Sequence, residues 1–139
     1  MKSIKIYAVG KAKDKNIQCL IGEYEKRLKV FAKVEIIELK DKGISRESEE
    51  IAKLIDTNTY ILDESGTNYS SVAFSELINK NDTIRFVIGG ADGITKEAKS
   101  KAKLLSLSNM TFTHEMARLI LIEQIYRAIM IINNRSYHK

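Results

Sequence analysis

Proline is absent from all 139 residues, and with it the commonest mark of a linker. No low-complexity segment or internal repeat appears either, so the chain reads as one domain over residues 1–139. A single cysteine, Cys19, excludes an internal disulfide and suits a reducing cytoplasm. Beside only two histidines it leaves a structural zinc centre short of ligands, and no metal is expected. No apolar tract is long enough to span a membrane. The opening MKSIKIYAVGK holds too short an apolar stretch for a signal peptide and reads as a first strand.

What is present suffices for a real core, since 44% of residues are hydrophobic. Ile4 to Val9 is expected as a strand, and Gly10 to Lys15 as a polar turn. From Ile17, the positions Leu20, Ile21, Tyr24, Leu28 and Phe31 recur at the spacing of one buried helical face. Val34 to Leu39 reads as the second strand, and Ser45 as the cap of a short helix bearing Ile51, Leu54 and Ile55. Tyr60 to Leu62 is a third strand ending in the turn Asp63 to Gly66, and Ser70-Ser71 opens a helix. Asp63 and Glu64 are what turns contain. As an acid–base pair they are disfavoured, because alternate residues leaving a strand point apart.

Thr83 to Ile88 is the fourth strand, and it runs into Gly89-Gly90-Ala91-Asp92-Gly93. Adjacent glycines there permit positive φ and close approach of another molecule, although the spacing fits neither a dinucleotide fingerprint nor a Walker loop. Asp92 is explained by the turn alone. Thr95 caps a lysine-rich helix, and Leu104 to Leu107 makes a fifth strand. Such alternation implies an α/β domain with a mainly parallel sheet and helices on both faces. The ligand of such a sheet sits at the carboxyl ends of the strands, here Leu62-Asp63, Gly89-Gly90 and Ser106 to Met110.

The last helix, from His114 to about Asn133, is apolar on nearly every side. A helix of that kind is buried all round, and a second subunit in a two-fold dimer is the simplest cover. Charge adds a further clue: Lys and Arg number 23 against 18 Asp and Glu, a net +5, which favours a polyanionic partner. Cations gather at Lys96, Lys99, Lys101 and Lys103, where a solvated helix face would also account for them, and at the terminal Arg135, His138 and Lys139.

These residues carry a resemblance. FVIGGADG, LLSLSNMTFTHEMARLILIEQIYRA and the terminal SYHK together resemble the SPOUT-class family of small methyltransferases that act on N3 of a pseudouridine in large-subunit ribosomal RNA. AVGK in the first strand, EYEKRL in the first helix and LDESG with the following serines fit the same family, so the match covers nearly the whole chain. Jointly these motifs are specific, whereas none is so alone. Two departures stand out: Thr113 occupies a position where the family commonly has proline, and the segment between the second and third strands is shorter.

The resemblance implies a deep trefoil knot in the carboxyl-terminal half, a topology that general rules treat as exceptional. It implies S-adenosyl-L-methionine as cofactor, held near Leu62, Gly89, Gly90, Leu107, Ser108, Asn109, Met110, Thr111 and Phe112. It further implies a homodimer in which one subunit's tail completes the other's site, with large-subunit ribosomal RNA, in the assembled ribosome, as partner. Methyl transfer from a sulfonium is an in-line displacement that needs positioning more than a metal. The acceptor imide must lose its proton, and nearby cations stabilise the anion.

On the family match His138 relays that proton, Lys139 and Arg118 hold phosphate or the anion, and Tyr137 stacks on a base. By position alone the tail is a frayed terminus, His114 a locally satisfied helix start, and Arg118 and Arg127 partners of Glu115 and Glu123. Two other functions compete. A flavodoxin-like enzyme would bind phosphate at the glycine turn, but Gly10 stands alone where several glycines would be needed after a nucleotide-binding first strand. A non-catalytic RNA-binding protein would be explained by charge alone.

Overall fold

The structure is a computed structural model that describes all residues, Met1–Lys139. Strands β1 (Lys2–Val9), β2 (Ala32–Leu39), β3 (Thr59–Asn68), β4 (Thr83–Ile88) and β5 (Lys103–Ser106) alternate with helices α1 (Lys15–Leu28), α2 (Ile44–Leu54), α3 (Ser71–Asn79), α4 (Lys96–Lys99) and α5 (His114–Ile132). The strands form one sheet in the order β2-β1-β4-β3-β5, and every pairing is parallel. The expected α/β class and the helices on both faces are therefore present.

The period of two in the central strands divides the core. Ile4, Ile6, Ala8, Ile84, Phe86 and Ile88 face the larger cluster, which α1, α3 and α5 cover. Tyr7, Val9, Val87 and Ile61 face the smaller one, with Ile51 of α2 and Ala98 of α4. Burial on both faces is why these strands read as near-continuous apolar runs.

Local chemistry corrects several expectations. Asp14 caps α1 by accepting from the amides of Asn16 and Ile17, but Leu20 is exposed and the helix ends at Leu28, before Phe31. Ser45 does not cap α2. Gly43 at φ 90° holds that position, and the Glu47 carboxylate reaches back to the amides of Lys42 and Gly43, so the helix begins at Ile44. Nor does β3 stop at Leu62. It continues to Asn68 through a register break in which Leu62 and Thr67 both face Leu105. Gly66 is needed there, since a Cβ would lie 2.6 Å from the backbone of Leu104 and Leu105. No helix is long and apolar enough to cross a membrane.

Helix α5 begins where the Thr113 hydroxyl accepts from the Met116 amide, so Thr113 supplies its side-chain cap. It lies on the sheet, packed against α1, α3 and β4. Leu121, Ile122, Ile125, Ala128 and Ile129 are buried. Burial all round, expected from its composition, does not occur within one chain: Met116 stays 39% exposed, and Ile120 and Ile131 are half-buried along the outer face.

Candidate functional site

Because β4, β3 and β5 are neighbours running in one direction, the loops leaving the carboxyl ends of β4 and β5 meet at the register break inside β3. They enclose a cavity of about 500 Å³, within the usual size range for small-molecule sites. Leu62 of β3, Gly89 and Gly90 after β4, and Leu107, Ser108, Met110, Thr111 and Phe112 after β5 all line it. Asn109 does not. Its side-chain oxygen accepts from the Asn68 amide group at 3.1 Å.

Two kinds of wall result. Gly89 and Gly90 do not have positive φ; within this turn only Gly93 does, at 80°. Their reason is space. A Cβ on Gly89 would lie 2.8 Å from Ile94 Cγ1 and 3.2 Å from the Gly93 carbonyl carbon, so the turn folds back on itself without slack. The wall after β5 differs. Ser106 Oγ donates to the Ser108 carbonyl at 2.9 Å, and Ser108 Oγ accepts from the Met110 amide at 3.0 Å. No backbone–backbone hydrogen bond involves residues 107–112. The amides of Thr111 and Phe112 and the carbonyls of Leu107 and Met110 are thus left for a ligand or water.

Charge enters through Asp63, expected at a ligand-binding strand end, and through Glu64, disfavoured with it only as an acid–base pair. Asp63 and Glu64 both line the cavity, because the register break in β3 removes the strict alternation that would separate them. Lys99 of α4 pairs with Asp63 at 2.7 Å. Burial pushes the Asp63 carboxyl up, yet hydrogen bonds from Lys99 and Ser65 outweigh it and hold the group below the usual aspartate range. At the rim the Thr111 hydroxyl donates to Glu64 at 2.7 Å. His114 and Ala117, on the first turn of α5, close the remaining side. Proximity to Leu62 in sequence was the signal for Asp63 and Glu64. Lys99 stood out only as one of four clustered cations, with nothing local to separate it from Lys96, Lys101 and Lys103.

Arg118 does not reach the cavity. It is 2% exposed, donates to Glu38 Oε2 at 2.7 Å and to the Gly10 carbonyl at 3.1 Å, and so holds the β1–α1 loop. Glu115, expected as its helical partner, instead accepts from the amides of Lys13 and Asp14 in that same loop. The expected pair of Arg127 with Glu123 does form, at 2.6 Å.

The terminal residues are docked on α5 rather than frayed. The Tyr137 hydroxyl contacts Glu123 at 3.2 Å and the Tyr24 hydroxyl at 3.3 Å, and its ring meets Tyr126 edge-on. Burial and those contacts push its phenol above the usual tyrosine range. His138 Nδ1 lies 3.2 Å from an Arg127 nitrogen; as a guanidinium only donates, Nδ1 accepts and the neutral ring carries its proton on Nε2. Lys139 is exposed. Glu123 lies nine residues along α5 from His114, about 14 Å at helical rise. Within one chain, the tail and the cavity therefore occupy different parts of the helix, the cavity its first turn and the tail its middle.

A parallel sheet with a ligand-sized cavity at the ends of two strands and the register break of a third places the chain among α/β domains. The chain belongs to the SPOUT methyltransferase family: the family described as "Predicted SPOUT methyltransferase" matches residues 1–138. Within it, the chain groups with proteins named "Ribosomal RNA large subunit methyltransferase H". It is 43% identical over 145 residues to that of Thermodesulfovibrio yellowstonii, with 99% of each chain covered. To that of Mycoplasmopsis agalactiae it is 42% identical over 151 residues, covering 100% of each. The Clostridium botulinum protein is 40% identical over 158 residues, again with 99% of each covered.

Proposed function

We propose that this protein is an S-adenosylmethionine-dependent methyltransferase acting on N3 of a pseudouridine in large-subunit ribosomal RNA, in the cytoplasm. The observation that carries the reading is the cavity: the ends of β4 and β5 and the register break of β3 converge on it in a chain of a methyltransferase family, and its walls offer unpartnered backbone groups beside apolar surface. Those walls suit the cofactor. The free amides and carbonyls of residues 107–112 match the donor and acceptor edge of an adenine, and the glycine turn offers a wall of bare backbone to its ribose and methionine. When bound, S-adenosylmethionine supplies the methyl group.

The cavity and the tail divide the remaining work. At the cavity, Asp63 and Lys99 present opposite charges, which suit the ammonium and carboxylate of an amino-acid moiety. On the tail Tyr137 offers a ring for stacking on a base, Lys139 a cation for phosphate, and His138 an imidazole to take the imide proton. While Arg127 donates to Nδ1, His138 has a proton on Nε2 to give and no free lone pair, so its service as a base requires release from Arg127. Arg118 has no part in this assignment, being engaged inside the fold.

The same reading makes the protein a homodimer, with the carboxyl-terminal half knotted and the tail of one subunit completing the cavity of the other. The apolar outer face of α5, where Met116 stays exposed, and the separation of tail from cavity support this. Calorimetry with S-adenosylmethionine tests the cofactor, and absence of binding refutes it. Mapping modified nucleotides in ribosomal RNA from cells with and without the protein tests the substrate. Deleting Tyr137 to Lys139 should abolish methylation while leaving cofactor binding intact. Co-expression of that deletion with a cavity-blocked Gly89→Val chain should restore methylation that neither has alone.

A further inference from the structure

We propose that Glu47 and Ser48 of α2 are positioning residues for the glycine-turn wall, setting the ligand affinity of the cavity from behind although neither lines it. The inference rests on the cavity being the cofactor site. Both residues are 3% exposed, an unusual state for a carboxylate. Glu47 Oε2 accepts from the amides of Lys42 at 2.7 Å and Gly43 at 2.8 Å, which fixes the start of α2. Its Oε1 sits behind Gly90: a Cβ there would lie 3.4 Å from Oε1 and 3.1 Å from Val9 Cγ1, so Gly90 is held between α2 and β1.

Ser48 holds the other end of the same turn, its Oγ accepting from the Thr95 amide at 3.0 Å. Thr95 is a junction. Its own hydroxyl caps α4 by accepting from the Ala98 amide at 3.3 Å, and α4 carries Lys99, the partner of Asp63 on the cavity wall. Little slack lies between Thr95 and the cavity, because Ile94 already crowds Gly89. A shift at Thr95 is therefore passed on to Gly89 and Lys99 rather than absorbed. Consecutive residues of one helical turn thus fix both ends of the wall from the face of the sheet that α2 covers.

The hydroxyl can be tested apart from side-chain bulk. Thr and Val are alike in size and both β-branched, but only Thr retains the acceptor. A cavity of about 260 Å³ beside Ser48 and Thr95 leaves room for the added methyl. The measurements are calorimetry with S-adenosylmethionine, a ligand-free thermal melt, and the cofactor KM and kcat for each variant. Ser48→Val should weaken cofactor binding roughly tenfold and raise the cofactor KM with kcat retained, while Ser48→Thr stays within roughly twofold of the unsubstituted chain. A lowered melting point with unchanged affinity in Ser48→Val, or equal losses in Thr and Val variants, overturns the inference. Absence of binding by the unsubstituted chain overturns the cofactor reading and this inference with it.

Discussion

Arg118→Met separates a clamp from a catalytic group. Methionine keeps most of the buried stem, so little cavity forms, and the loss is that of two hydrogen bonds, to Glu38 Oε2 at 2.7 Å and to the Gly10 carbonyl at 3.1 Å. Breaking a fully buried pair costs about 3–5 kcal/mol because the surviving charge is stranded. Glu38 is 41% exposed and can hydrate once its partner is gone. The lost charge-assisted bond then dominates, at about 2 kcal/mol. In a domain of this size that lowers the melting temperature by about 6 °C. Cofactor affinity should be unchanged, since Arg118 is absent from the cavity wall. Thermal melts, calorimetry and single-turnover methyl transfer on ribosomes measure the three quantities. An unchanged melt with methyl transfer down a hundredfold or more would refute the clamp and return Arg118 to the reaction.

Gly89→Ala places a methyl 2.8 Å from Ile94 Cγ1 and 3.2 Å from the backbone of Gly93, so the turn must give way toward the cavity. Overpacking of about 1–3 kcal/mol and a cofactor Kd raised about tenfold are expected, and an unaltered Kd counts against the wall assignment. Gly66→Ala meets only backbone, at 2.6 Å, so the urea midpoint should fall sharply or soluble protein be lost; a parent-like midpoint refutes the β3–β5 crossing drawn above. For Asp63, whose folded pKa lies below its ordinary value, the stabilising contribution is complete above the unfolded aspartate range and disappears as pH falls through the folded pKa. Asp63→Asn should therefore be less stable than the parent at pH 7, with the gap closing below about pH 4; a gap that persists in acid contradicts the Lys99 pairing.

Features that depend on one element's own pattern were legible in the sequence. The alternation of Ile4, Ile6 and Ala8 against Tyr7 and Val9 announces a strand covered on both faces, and three strand ends announce where a ligand cavity forms. Features that depend on a distant partner were not. Asp63 and Glu64 share the cavity because β5 imposes a register break on β3, some forty residues earlier in the chain. Ser45 lost the cap of α2 to a carboxylate one turn inside the helix, and Arg118 found its partner on β2 instead of on its own helix. The glycine turn suggests close approach by another molecule, but the neighbours that approach Gly89 and Gly90 within the chain are Ile94, Val9 and Glu47.

The division of labour along α5 follows from stiffness. Its first turn, with His114 and Ala117, closes the cavity, and its middle turns fix the tail through Glu123 and Arg127. A helix is a stiff rod, and it does not close the separation of about 14 Å between His114 and Glu123. The tail is also held too firmly to swing across: Tyr137 contacts Glu123, Tyr24 and Tyr126, and Arg127 lies over its ring at 4.9 Å. If the tail carries the proton chemistry and the cavity the methyl donor, as proposed, the two meet only when a second copy reverses the helix direction. A two-fold axis near the outer face of α5 does this, and it covers Met116 in the same step. The apolar face and the divided site then have one cause.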